Sequence, residues 1–185
     1  MAYLTTNQLL EYRPQWGIQN FSNITESRSS AQLTIFLSHS HFDRNLVEGL
    51  IGLLDSLGIK IYVDWNDKNM PRITNRETAE KIKQKIRENV LFAILATPNA
   101  LASKWVPWET GIGDQVKGQD AILLIPVADP TGQFAGSEYL QLYNRFEFGP
   151  PSFVYPMPSR FRVLAPDGHE LRSLQEHLKS KAQQL

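Results

Sequence analysis

Val90-Leu91-Phe92-Ala93-Ile94-Leu95-Ala96 is apolar at every position. An extended segment points alternate side chains to opposite faces, so neither face of this one tolerates water. Strands of that kind occur where helices cover a sheet on both sides, the usual setting of parallel strands. Downstream, Ala121-Ile122-Leu123-Leu124-Ile125-Pro126-Val127 repeats the pattern, with a proline near its end. Upstream, Ile59-Lys60-Ile61-Tyr62-Val63-Asp64 and Leu33-Thr34-Ile35-Phe36-Leu37 are shorter runs that suit buried strands.

The segments between these runs read as helices. Val47, Leu50, Ile51, Leu54 and Leu57 recur at helical spacing from about Asp43 to Leu57, and Gly58 stands where a left-handed cap ends a helix. Thr74-Asn75-Arg76-Glu77 has capping-box spacing, with Ala79, Ile82 and Ile86 continuing from it. Ser103 is placed to cap a helix that tolerates Pro107 in its first turn and stops at Gly118. Gly111 and Gly113 suggest that this helix lies close on the sheet. Four strands alternating with helices predict a doubly wound, mainly parallel α/β sheet.

The flanks are less regular. Leu9, Leu10 and Tyr12 predict a short helix stopped near Pro14, and the polar stretch from Gly17 to Gln32 reads as a linker. Residues 1–32 are therefore taken as an N-terminal arm and residues 33–185 as the domain. Beyond Asp129, Tyr139 to Tyr143 suggest a short helix, and the proline-rich Gly149 to Ser159 resists regular structure. Phe161-Arg162-Val163-Leu164 reads as a last strand before a turn at Pro166-Asp167-Gly168. Leu171, Leu174 and Leu178 mark an amphipathic C-terminal helix.

Composition narrows the functions. The chain has 185 residues, 42% hydrophobic and 21% charged, which suits one packed domain. Lys plus Arg equals Asp plus Glu at 19 each, so no net field draws nucleic acid or an anionic membrane. With no cysteine, disulfides, thiolate nucleophiles and cysteine-held metals are excluded. No apolar run approaches a membrane span, and Met1 to Asn7 lacks the features of a secretory signal, so a cytoplasmic location is expected.

In open α/β sheets, ligands bind beyond the carboxyl ends of the strands. Three groups of residues fall there. Trp105-Val106-Pro107-Trp108-Glu109 sets an acid one turn after an indole on the same helix face. A glutamate near a helix start tends to stay ionised, so the pair reads as a fixed anion beside an aromatic wall; the bland reading is an acid that merely complements the helix dipole. Ser38, His39, Ser40, His41 and Asp43 follow the first strand, where hydroxyls and amides can hold phosphate or ribose oxygens or simply cap the next helix. Asp64 and Trp65 end the second strand, as binding groups or as a turn cap, and Lys68, Arg72 and Arg76 nearby are either a solvated face or contacts to a neighbouring subunit or a pyrophosphate. His39 and His41 lack a third ligand, so no metal is expected. Gly-x-Ser-x-Gly, Gly-x-Gly-x-x-Gly and the P-loop are all absent. The third strand ends Ala96-Thr97-Pro98, without the aspartate of a phosphoacceptor, and the loop after the first strand lacks the glycine of a flavin-phosphate cradle.

Three stretches in order, Ile35-Phe36-Leu37-Ser38-His39-Ser40, Ile61-Tyr62-Val63-Asp64-Trp65 and Ser103-Lys104-Trp105-Val106-Pro107-Trp108-Glu109, resemble the Toll/interleukin-1 receptor (TIR) domain family of the bacterial kind. The resemblance covers roughly Leu33 to Val127. It implies a flavodoxin-like TIR fold and cleavage of the nicotinamide–ribose bond of NAD+, by hydrolysis, cyclisation or base exchange, in anti-phage defence. NAD+ is then a substrate and no cofactor is required. Glu109 takes the catalytic position, with Ser38, His39, Ser40, Asp64, Trp65 and Trp105 as substrate contacts. The leaving group already carries positive charge, so one carboxylate facing an oxocarbenium-like centre suffices without a general acid. The resemblance also implies self-association, with the loop Asn66 to Ile73 closing a shared site, and a separate sensor or effector protein. A non-catalytic TIR scaffold or adaptor is the alternative, separated from the enzyme by Glu109 itself.

Overall fold

The computed structural model describes residues 3–13, 34–67, 75–134, 136–148 and 161–183. The expected linker from Gly17 to Gln32, most of the loop Asn66 to Ile73 with Lys68 and Arg72, and the proline-rich stretch from Gly149 to Ser159 lie outside these residues.

Parallel pairing begins with β2 (Thr34–Ser38), which lies between β3 (Lys60–Tyr62) and β4 (Leu91–Ala96). β5 (Ile122–Ala128) adds to β4 and β6 (Asn144–Phe148) to β5, all parallel. These five strands follow one another across the sheet as β3-β2-β4-β5-β6. That is the flavodoxin-like order, with its reversal between β2 and β4. The sheet then turns antiparallel through β7 (Phe161–Leu164) and β8 (Glu170–Ser173). Leu171, expected to open the C-terminal helix, lies in β8; the helix begins three residues later as α6 (Leu174–Ala182), capped by Ser173.

β4 is buried along its whole length because each face has its own cover. Leu91, Ala93 and Leu95 join one apolar cluster with Val47, Leu50 and Leu54 of α2 (Arg44–Ser56) and with Leu174 and Leu178 of α6. Phe92, Ile94 and Ala96 join a second with Ile82 and Ile86 of α3 (Arg76–Glu88) and with Val106. The helices end where the sequence carries punctuation. Gly58 and Gly118 take φ of +73° and +76°, which only glycine adopts without strain. The box at the start of α3 sits one residue later than the spacing predicts. Asn75 is the cap, accepting from the Thr78 amide at 3.0 Å, and the Thr78 hydroxyl accepts from the Asn75 amide. Asparagine caps at least as well as threonine, so it takes the position.

The N-terminal helix α1 (Thr6–Glu11) is seated on the domain. β1 (Leu4–Thr5) pairs with Val127 and Ala128 at the end of β5, and Leu9 is fully buried against α2. Gly49 permits the seat, because a Cβ there would run into the Leu9 carbonyl oxygen. Among the described residues, no helix is long and apolar enough to cross a membrane.

Candidate active site

β2 ends in Ser38 and β4 in Ala96, with the short helix α4 (Pro98–Leu101) just beyond β4, so the strand-order reversal opens between the segments that follow them. Asp43 bridges the two sides. Its carboxylate accepts from the Thr97 hydroxyl and, at 2.7 Å, from the Asn99 amide. Asp43 and Thr97 are both buried. Read from sequence, Asp43 lines the binding edge or shares with Ser40 the choice of helix cap; in the fold it makes no cap hydrogen bond and instead ties β2's loop to β4's. Ser40 is the local cap, its hydroxyl accepting from the Phe42 amide at 3.4 Å, and His41 stays exposed.

Glu109 enters from α5 (Trp105–Lys117). Ser103 helps start this helix by accepting from the amides of Trp105 and Val106. Pro107 falls among the first amides, which lack intrahelical partners in any case. The packing of α5 is set by Gly113, where a Cβ would stand 2.9 Å from the Phe92 ring. Gly111, expected to share that role, faces open space.

The Glu109 side chain reaches β2, and Ser38 Oγ donates to its Oε2 at 2.5 Å. The residue is only 7% exposed. Glu109 lies in the second turn of α5, beyond the strong part of the helix dipole, so the expectation that the dipole keeps it ionised is overturned. Burial pushes its carboxyl up to about 8; the Ser38 hydrogen bond works against this, and the charge of Asp64 adds to it. Near neutral pH the free protein therefore holds a proton here, in a place where no described basic side chain pairs with it.

His39, Asp64 and Trp65 form the other wall. The Trp65 indole N–H donates to His39 Nε2 at 2.8 Å, and His39 Nδ1 lies 3.0 Å from the Leu37 carbonyl. Those partners assign the proton to Nδ1 and leave Nε2 as the acceptor. Both ring nitrogens are thus engaged. Asp64 Oδ1 accepts from the Trp65 amide at 2.8 Å and sits 3.9 Å from His39 Nε2.

Ser38, His39, Asp64, Trp65 and Glu109 are therefore joined by direct contacts or by the field of Asp64. Trp105 stands apart. Its half-buried ring packs edge-on to Trp108 at 5.1 Å and against the second core cluster. Trp108 is the more open indole, at 37% exposure. Arg76 is exposed at the first position of α3. Sequence reasoning passed over Thr97 and Asn99, and also Arg44, which lies over the Trp65 ring. None has a periodic signal; each matters through a partner distant in the chain.

Comparison with known proteins agrees with this architecture. The profile of the TIR domain matches residues 35–149. A 113-residue stretch, 59% of the chain, is 37% identical to the "Probable 3' cyclic ADP-D-ribose synthase ThsB'" of Bacillus cereus (strain MSX-D12), covering 58% of that protein. A 113-residue match, 52% of the chain, is 25% identical to the "Putative cyclic ADP-D-ribose synthase TIR2" of Cytobacillus dafuensis and covers 30% of it. The chain thus spans little more than half, or less, of the length of these curated relatives.

Proposed function

Since the chain belongs to the TIR domain family, we propose that it is an enzyme cleaving the nicotinamide–ribose bond of NAD+, with Glu109 as the catalytic carboxylate. The observation that carries this reading is the buried Glu109–Ser38 pair at the strand-order reversal. A carboxyl in a poorly solvated crevice interacts strongly with any cation that enters. The pyridinium of NAD+ is such a cation. Its arrival favours the ionised form, so Glu109 gives up its proton on binding and faces the sugar carbon as a carboxylate.

The bond then breaks with its electron pair passing to the nicotinamide nitrogen, which leaves neutral. Positive charge appears on the ribosyl carbon, where the carboxylate stabilises it. Ser38 holds Oε2, so the other oxygen is the one turned to substrate. An incoming hydroxyl forms the new C–O bond and passes its proton to Glu109, which returns to its protonated form. Water gives ADP-ribose, and a hydroxyl of the same molecule gives a cyclic product. The names of the two relatives favour cyclisation. In this reading Ser38, Ser40 and Asp64 contact the ribose, with the hydrogen-bonded His39 and Trp65 beside them as further contacts. Trp105, one turn before Glu109 and packed on Trp108, is kept as a substrate contact in this reading. We place the activity in the cytoplasm, in self-associated chains, as part of anti-phage defence in which a separate partner supplies the trigger or reads the product.

The test is chromatography of NAD+ incubated with concentrated protein, comparing the native chain with Glu109→Gln. Release of nicotinamide by the native chain and its loss in the variant supports the reading and identifies the second product. Equal release by both removes Glu109 from the mechanism. No release by either, in assembled protein, favours a TIR scaffold.

A further inference from the structure

Arg44 opens α2 at its first helical position. A cation there opposes the helix dipole, so local electrostatics alone disfavour it. Two contacts nevertheless fix its guanidinium. Its carbon lies 4.6 Å from the centre of the Trp65 ring, and its Nε donates to Glu48 Oε1 at 3.1 Å. Glu48 is buried, and its other oxygen takes Nε and Nη2 of Arg13, at 3.1 and 2.7 Å, from the segment after α1. One carboxylate thus serves two guanidinium groups. Asp43, next in the chain, is occupied by Thr97 and Asn99 and makes no ion pair with Arg44.

Both terminal nitrogens of Arg44 are without an acceptor among the described residues, and the side chain is 58% exposed. The Trp65 contact and the Nε hydrogen bond hold the group while its two terminal nitrogens are left to other acceptors. That is a preorganised arrangement for bidentate capture of phosphate oxygens. Its support, Trp65, is the residue that braces His39, and His39 follows Ser38, the partner of Glu109.

We propose that Arg44 is a specificity-determining residue that takes the pyrophosphate of a dinucleotide whose nicotinamide end lies at Glu109, with Glu48 positioning it. The inference rests on the reading of the site given above. A diphosphate bridge between two nucleosides suits a flat, double-donor fork better than a lone ammonium would. It also separates the two ends of the substrate, so the chemistry at Glu109 and the anchoring at Arg44 are distinct contributions.

The test compares the native chain with Arg44→Gln and Arg44→Lys. For Arg44→Gln, KM for NAD+ is expected to rise about ten- to a hundredfold, with the loss concentrated in KM, as expected for losing charge-assisted hydrogen bonds. Competitive inhibition by ADP should weaken by a similar factor, while inhibition by nicotinamide, which has no phosphate, should not move. Arg44→Lys keeps the charge but lacks the fork, and should fall between the two. If ADP inhibits native and Gln forms equally, Arg44 does not hold phosphate. If ADP and nicotinamide weaken together, Arg44 is a structural strut and the proposal is also wrong. Titration calorimetry with ADP separates this outcome from failure of the NAD+ reading. A native chain that releases no nicotinamide but binds ADP through Arg44 overturns the activity and leaves the anion site standing, whereas ADP heats that are absent or equal in both forms overturn the anion site.

Discussion

Replacing Glu109 by glutamine should stabilise the protein, and by an amount that depends on pH. The unfolded chain ionises this carboxyl near its ordinary value of 4.5, while the native site holds the proton up to about 8. Between those values unfolding releases a proton, so the native state is favoured most below the lower value and loses that advantage as pH rises. At ~1.4 kcal/mol per pH unit, the loss reaches about 3 kcal/mol at pH 7 and about 5 kcal/mol above pH 8. Glutamine has the same shape and keeps a carbonyl oxygen for the Ser38 hydroxyl, but cannot ionise. Its stability should therefore lack this slope. Urea unfolding of both forms at about pH 5, 7 and 9 isolates the effect, since every other titrating group cancels in the difference. The variant should be nearly equal to the native chain at the lowest pH and more stable by several kcal/mol at the highest. A difference that stays flat across the range, or favours the native chain at high pH, would refute the claim that Glu109 is buried and protonated.

Three further outcomes follow from the same site and from the seat of α1. If Glu109 must ionise to work, kcat/KM for NAD+ should rise about tenfold per pH unit and level off near the carboxyl's own value of about 8. Ser38→Ala should move that midpoint upward, because its hydroxyl is the one contact that favours the charged form; a downward move would contradict the geometry. Gly49→Ala should cost about 1–3 kcal/mol in denaturant unfolding by forcing α1 off α2. Limited proteolysis should then cut the N-terminal segment first; unchanged cleavage would show that the close approach to Leu9 carries no energy.

Much of the scaffold was legible from residue order. β2, β4 and β5 are apolar runs whose burial follows from composition, and Gly58 and Gly118 mark helix ends through a backbone need that no neighbour alters. The antiparallel end was not legible. β6, Asn144-Arg145-Phe146-Glu147-Phe148, alternates polar and apolar residues as a half-covered strand does, but follows a 3-10 turn where a helix would signal a new strand. β8 carries Leu171 at a spacing that also fits the helix after it, so only pairing with β7 distinguishes them. β1 has two residues and no pattern of its own. At the site, Glu109 could be singled out by its distance from Trp105, yet its protonation could not, because that depends on burial and on Asp64 from another strand's end. Asp43 misled for a related reason. Local rules offered it a cap, while Thr97 and Asn99 offered stronger donors across the sheet.

β5 has a further neighbour besides β4 and β6. Leu123 and Leu124 pair with β6, and Val127 and Ala128, farther along, pair with β1. Without the first residues of the chain, those last rungs would be an open template for a strand from another molecule. The same loss would uncover the apolar seat of Leu9 on α2. A shortened chain starting after Arg13 would thus combine a bare strand rim with a greasy hollow, a recipe for clumping. The N-terminal piece is a lid against wrong company as much as an arm.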